Sequence, residues 1–271
     1  MTTLSEIGES AFLAALERRG LIVGTEHDAA VVGEAVVTQD ALVDGVHFRL
    51  DWLDWHELGF RAAAVNISDL AASGAEPDAL LVSLALPETT PVDDAFALYE
   101  GFVEAGVPVV GGDTTASPTI VISVTALGRS ERVPGRAGAR PGDALVVTGP
   151  FGAAGAAFRA GGYVRPPLRV AEGKELARVA HAMLDVSDGL AVDAGRIAKR
   201  SRVRCVLELE RVPLADGARL DDLGFGEDFE LLAAVGDPGR FTVVGRVEEG
   251  DGVDVRLGGS SYLLRGYDHF V

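Results

Sequence analysis

A single cysteine, Cys205, stands in the whole chain of 271 residues. That excludes an intrachain disulfide, an iron–sulfur cluster and a thiolate zinc site, and it suits a reducing compartment. No uninterrupted apolar stretch is long enough to span a bilayer, and the N-terminus has no basic region followed by an apolar one, so a cytoplasmic, soluble protein is expected. Basic residues are scarce. The formal net charge is −17, which argues against nucleic acid or an anionic membrane as partner, since both are held through Lys and Arg. The deficit is local: residues 1–131 carry 21 Asp and Glu against 5 Lys and Arg, a balance of −16, whereas residues 132–271 carry 20 against 19, a balance of −1. Most of those carboxylates need be no more than a solvated surface.

Familiar catalytic signatures are missing too. The turn GPFGAAG at 149–155 lacks the Lys-Ser/Thr pair of a P-loop and the spacing of a dinucleotide fingerprint, so its plain reading is a closely packed strand-to-helix turn. The one Gly-Lys pair, Gly173-Lys174, continues into Glu175. No protein-kinase catalytic loop, zinc-hydrolase histidine spacing or nucleophile elbow occurs.

What is present is enough apolar sequence, 48%, for one large or two moderate cores. A run rich in Gly, Pro and charge at 128–143 marks the boundary between a domain over 1–131 and a second over 132–271. Periodicity predicts helices over 10–19, 55–73 and 91–105 and strands over 30–38, 80–87 and 119–127 in the first. In the second it predicts strands over 144–148, 203–209, 229–235 and 241–247 and helices over 168–181 and 189–201. This order is not a regular βαβ alternation, so the fold class is α+β with antiparallel or mixed sheets.

Aspartates recur at the junctions of apolar segments, beside Gly, Ser or Thr: Asp28, Asp40, Asp113, Asp185 with Asp188, and Asp228. Each alone can be a cap or a turn residue. Asp69 is different, because residues 62–72 are apolar nearly all round and bury Asn66 and Asp69 on one face. An unpaired buried carboxylate is costly, and a cation is a good partner for it. Dispersed oxygen ligands suit magnesium held jointly with phosphates; no EF-hand pattern is present.

Eight blocks in order, HDAAV at 27–31, DGVHF at 44–48, NISDLAA at 66–72, GGDTT at 111–115, GARPGD at 138–143, DVSDGL at 185–190, GEDFEL at 226–231 and GYDHF at 266–270, resemble the thiamine-monophosphate kinases of the aminoimidazole ribonucleotide synthetase-like superfamily. The resemblance runs almost end to end. It implies a two-domain fold whose N-terminal sheet forms the interface of a homodimer, with the C-terminal domain closing over the nucleotide. It implies transfer of the γ-phosphoryl group of ATP to thiamine monophosphate without a general base, the acceptor oxygen being already anionic. By the same resemblance Asp28, Thr38, Asp40, Asp69, Asp113, Asp185 and Asp188 hold several Mg2+ ions. Tyr99, Gly112, Asp113, Arg136 and Ser187 contact ATP, and His47, Glu227 and Tyr267 contact the thiamine substrate. Arg165 and Arg169 are either further phosphate contacts or exposed solubilising residues. The chain departs from the family pattern at His27, where an aspartate is common, and at Gln39, where a hydroxyl residue is common. A sister ATP enzyme with another acceptor, and a nucleotide-binding protein without turnover, are the competing readings.

Overall fold

A computed structural model of the chain describes residues 3–23 and 27–267; Asp268, His269 and Phe270 of the terminal block lie outside the described residues. Two short helices, α1 (Leu4–Ile7) and α2 (Glu9–Arg18), precede the first sheet. That sheet takes β1 (Ala30–Val32), β2 (Ala35–Val43), β3 (Glu76–Leu86), β4 (Val109–Ala116) and β5 (Val121–Arg129), with helices α3 (Trp55–Ala72) and α4 (Val92–Glu104) between strands. The remainder comprises β6 (Ala144–Val147), α5 (Ala153–Arg159), α6 (Val170–Ala177), β7 (Ala180–Asp185), α7 (Leu190–Ser201), β8 (Arg204–Glu208), β9 (Leu231–Val235), β10 (Thr242–Glu248), β11 (Gly252–Leu257) and β12 (Ser260–Ser261).

Both sheets are mixed, as the irregular order of helices and strands leads one to expect. The first runs β1-β2-β5-β3-β4 and the second β12-β11-β8-β10-β6-β9-β7. Pairing is antiparallel except for β3 with β4 and β8 with β11. Among the described residues no helix is long and apolar enough to cross a membrane.

Alternation along the strands of the first sheet separates its faces. Leu80, Val82, Leu84, Ile122, Val124 and Ala126 are buried together with Leu58, Ile67 and Leu70 of α3 and Leu98 and Phe102 of α4. The opposite face, with Gln39, Leu81, Ser83, Ser123 and Thr125, stays partly or fully exposed. Helix α3 starts where the Asp54 carboxylate accepts the Glu57 amide at 2.8 Å, an N-cap. It ends in a Gly74 turn with φ +64, where the Ala75 amide donates back to the Leu70 carbonyl, the glycine end of a Schellman motif. Its crossing with α4 is made by two glycines: a Cβ on Gly59 would collide with the carbonyl of Leu98, and one on Gly101 with that of His56.

The second sheet is covered on both sides, so its central strands read as unbroken apolar runs. Leu145, Leu184, Leu207 and Leu232 pack with Leu190 and Ile197 of α7. Val146, Met183, Leu231 and Ala233 pack with Leu176 of α6 and with Ala71 and Ala72 at the end of α3. The two layers therefore abut along the last turn of α3. There α6 comes so close that a Cβ on Gly173 would strike the Ala71 backbone.

Candidate active site

Beside that junction lies a cavity of about 890 Å³. Its wall is drawn from β2, α2 and α3 on one side and from the β7–α7 turn, the 160–165 segment and the 225–229 turn on the other. At its centre Asp28, Asp69 and Asp185 can each offer a carboxylate oxygen such that all three lie within 4.8 Å of one another. Hydroxyls orient two of them: Thr38 Oγ1 donates to Asp69 Oδ2 at 2.6 Å, and Ser68 Oγ to Asp185 Oδ2 at 2.5 Å. Successive positions at the end of α3 thus serve different strands, Ser68 reaching β7 and Asp69 reaching β2. Asn66, fully buried, turns its Oδ1 to the Asp40 amide at 3.0 Å and its Nδ2 to the Ala62 carbonyl.

Like charges in a poorly hydrated place resist ionisation. Burial first, then the charges of Asp185, Asp40 and Asp28, raise the Asp69 pKa well above the ordinary carboxylate range, and the Thr38 hydroxyl offsets only part of this. Asp185 is raised well above it too, by burial and then by Asp28. Asp28 Oδ2 is buried without a hydrogen-bond partner among the described residues. Cations stand at the rim: Arg136 donates from Nε and Nη2 to Asp28 Oδ1 at 2.9 and 2.5 Å, and Arg196 bridges Asp188 and Asp193.

The far end of the cavity is aromatic. Trp52 and Phe158 meet edge to face at 5.4 Å, and Phe158 lies 4.9 Å from Phe225. Phe48, Tyr163 and Tyr267 also line it. His47 Nδ1 accepts the Val43 amide at 3.0 Å, which puts the proton of a neutral ring on Nε2. Glu227 sits in a turn with φ +57, its amide donating to the Ser187 carbonyl at 2.8 Å, while the Tyr267 amide donates to that of Asp188.

Of the residues singled out in the sequence, Asp28, Thr38, Asp40, His47, Asp69, Arg136, Asp185, Ser187, Asp188, Glu227 and Tyr267 all line this one cavity. Tyr99, Gly112 and Asp113 do not. Tyr99 packs edge to face on Phe102 at 5.6 Å. Asp113 lies on β4 in register with Ser83 of the open sheet face, and β4 is three strands from β2, about 14 Å at the usual strand spacing. Gly112 has a local reason to be glycine: with φ +149, a Cβ there would collide with the Val82 carbonyl.

Other expectations resolve structurally. The 149–155 turn is capped by a carboxyl group of the chain's own, since the Gly152 amide donates to Asp228 Oδ1 at 2.8 Å. Arg165 chelates Glu57 and Glu104 and covers the Phe60 ring at 4.4 Å. Arg169 grips Glu230 with two nitrogens at 2.7 and 2.5 Å. Cys205 is buried in β8, and burial pushes its thiol up to about 12, which leaves it unreactive. Sequence reasoning passed over Arg61, Arg196 and Tyr163. Arg61 carried a signal, as a lone guanidinium in an apolar helix; Tyr163, in an irregular segment, carried none.

Two mixed sheets enclosing a carboxylate-lined cleft define the class. Residues 26–130 match the family described as AIR synthase related protein, N-terminal domain. The Thiamine-monophosphate kinase of Rhodopirellula baltica is 37% identical to the chain over 262 residues, covering 84% of this chain and 82% of that protein. The Aquifex aeolicus protein of the same name is 32% identical over 311 residues, covering 98% and 99%. A solved structure of AaThiL complexed with AMPPCP and TMP superposes with a TM-score of 0.91 at 31% identity, covering 99% of each chain. The chain belongs to the thiamine-monophosphate kinase family.

Proposed function

We propose that this chain transfers the γ-phosphoryl group of ATP to thiamine monophosphate, giving thiamine diphosphate and ADP. The observation that carries the reading is the convergence of Asp28, Asp69 and Asp185 in one cavity with an arginine at its rim and an aromatic far end. In a chain of this family, that is a place for polyphosphate at one end and a heteroaromatic ring at the other.

Magnesium fits the donor set. The ligands are all oxygens, Asp28 Oδ2 is buried without a partner among the described residues, and the neighbouring carboxylates repel unless a cation lies among them. Asp28, Asp69 and Asp185 would hold the metal, with Thr38, Asp40 and Asp188 beside them. When bound, it would neutralise phosphate charge and hold donor and acceptor in line. The chain's own side chains do the rest. Thr38 and Ser68 fix the rotamers of two carboxylates, and Arg136 and Ser187 offer donors to the nucleotide phosphates. His47, Glu227 and Tyr267 take the thiamine. No group need remove a proton, because the attacking phosphate oxygen is already anionic near neutral pH.

Tyr99, Gly112 and Asp113 enter this reading through a second copy. The open face of the first sheet, bearing Ser83 and Ser123, is small and mixed in character and has no cover of its own among the described residues. A homodimer formed through it carries β4 of one copy toward the cleft of the other. The division into domains 1–131 and 132–271 belongs to the same reading, supported by the two sheets sharing no strand among the described residues.

The test is direct. Pure protein with ATP, thiamine monophosphate and millimolar-scale magnesium is expected to form thiamine diphosphate and ADP in equal amounts, and chelation is expected to stop it. ATP hydrolysis without thiamine diphosphate would point to a sister enzyme with another acceptor.

A further inference from the structure

Arg61 has no part in the steps above. It is the only arginine or lysine of α3, and its side chain is 6% exposed. Nη2 donates to Glu227 Oε1 at 2.5 Å and to the His47 carbonyl oxygen at 3.1 Å, so one nitrogen joins two residues of the acceptor end. The Tyr163 ring covers the guanidinium, its centre 5.4 Å from Cζ. Arg61 Nε and the Tyr163 hydroxyl are both buried without hydrogen-bond partners among the described residues. A buried guanidinium is costly unless paired, and this one meets a single carboxylate. That carboxylate belongs to a residue at φ +57, between Gly226 at +85 and Phe229 at +51, a backbone that side-chain-bearing residues adopt rarely and chiefly where a site demands it.

We propose that Arg61 is a positioning residue for the acceptor: it occupies Glu227 Oε1 so that Oε2 accepts from the exocyclic amino group of the thiamine pyrimidine ring. The assignment rests on the kinase reading given above. An ionised carboxylate only accepts hydrogen bonds, and the amino group is the sole N–H donor of thiamine. Without Arg61, the Glu227 carboxylate would be free to rotate away from the acceptor. The Arg61 link to the His47 carbonyl fixes the opposite wall at the same time. The hydrogen bonds of the Arg61 side chain among the described residues go to the Glu227 carboxylate and the His47 carbonyl, neither of which is given to the phosphates.

The experiment compares thiamine monophosphate with its analogue in which the amino group is replaced by hydroxyl. Wild-type turnover of thiamine monophosphate establishes the kinase reading, and its absence removes both that reading and this assignment. In Arg61→Met, KM for thiamine monophosphate is expected to rise about tenfold or more, the value of one charged hydrogen bond, with KM for ATP within about twofold. The preference for amino over hydroxyl acceptor, as a ratio of kcat/KM, is expected to fall about tenfold. Arg61→Lys keeps the charge, guards against a variant that fails to fold, and is expected to lie between the two. An unchanged acceptor ratio in an active Arg61→Lys and Arg61→Met, or equal losses toward ATP and acceptor, would overturn the assignment while leaving the kinase reading intact.

Discussion

Asp228 holds the start of α5 and is itself held at a cost. Burial raises its carboxyl to about 7, although hydrogen bonds from the Gly152, Ala154 and Ala153 backbone pull the other way. The folded chain therefore keeps a proton that the unfolded chain gives up near pH 4. The sign follows from linkage: this stabilisation is full in acid and is lost as pH rises through 7. Asp228→Asn keeps the shape and has nothing to titrate. Between pH 6 and pH 8 the wild type is expected to lose about 1 kcal/mol relative to the variant in urea denaturation; parallel pH slopes for the two would refute this. Asp228 also shows what residue-level reading can miss. It stood in the sequence as one aspartate among many at a junction, and only the fold reveals that its partner is the glycine turn 76 positions away.

At the scale of elements, the α3–α4 crossing gives the sharpest expectation. In an exposed helix, Gly→Ala gains roughly 1 kcal/mol from propensity. Here the Cβ of Gly101→Ala would meet the His56 carbonyl, and overpacking of this kind costs about 1–3 kcal/mol. Gly101→Ala is therefore expected to lower the urea midpoint, and a stabilised variant would contradict the geometry. Helices α3, α4 and α7 were legible because each is long and rich in apolar positions, and Asp54 caps the start of α3. Strand β4 was not: Gly111, Gly112, Asp113 and Thr114 carry no apolar alternation, are exposed, and become a strand because β3 pairs with them. Strand β7 was missed: the helix expected over 168–181 ends inside it, and Ala182, Met183 and Leu184 beyond His181 form a run too short to set a period. The aspartates could be singled out one by one from sequence. Their meeting was implied only by the family resemblance and not by the residues themselves, because it depends on Ser68 and Asp69 facing different sheets.

For the whole molecule, the question is whether one copy suffices. If β4 acts across a homodimer, Asp113→Asn and Asp185→Asn damage different halves of each composite site. Either variant alone is expected to be inactive. Mixing the two after subunit exchange should restore up to about a quarter of wild-type activity, because half the dimers are mixed and one of their two sites is intact. No recovery in a demonstrably mixed dimer would place Asp113 in the cleft of its own chain. The contact of Gly173 with the Ala71 backbone bears on how that cleft can move. With no clearance there, the two layers cannot slide past each other, and the remaining freedom is rotation about that corner. Displacement then grows along α3 with distance from the corner, like travel along a lever. Asp69 sits beside the fulcrum, where any such swing would change its distance to Asp185 least. Arg61 lies about 12 Å further out, where the same small rotation would produce the larger displacement.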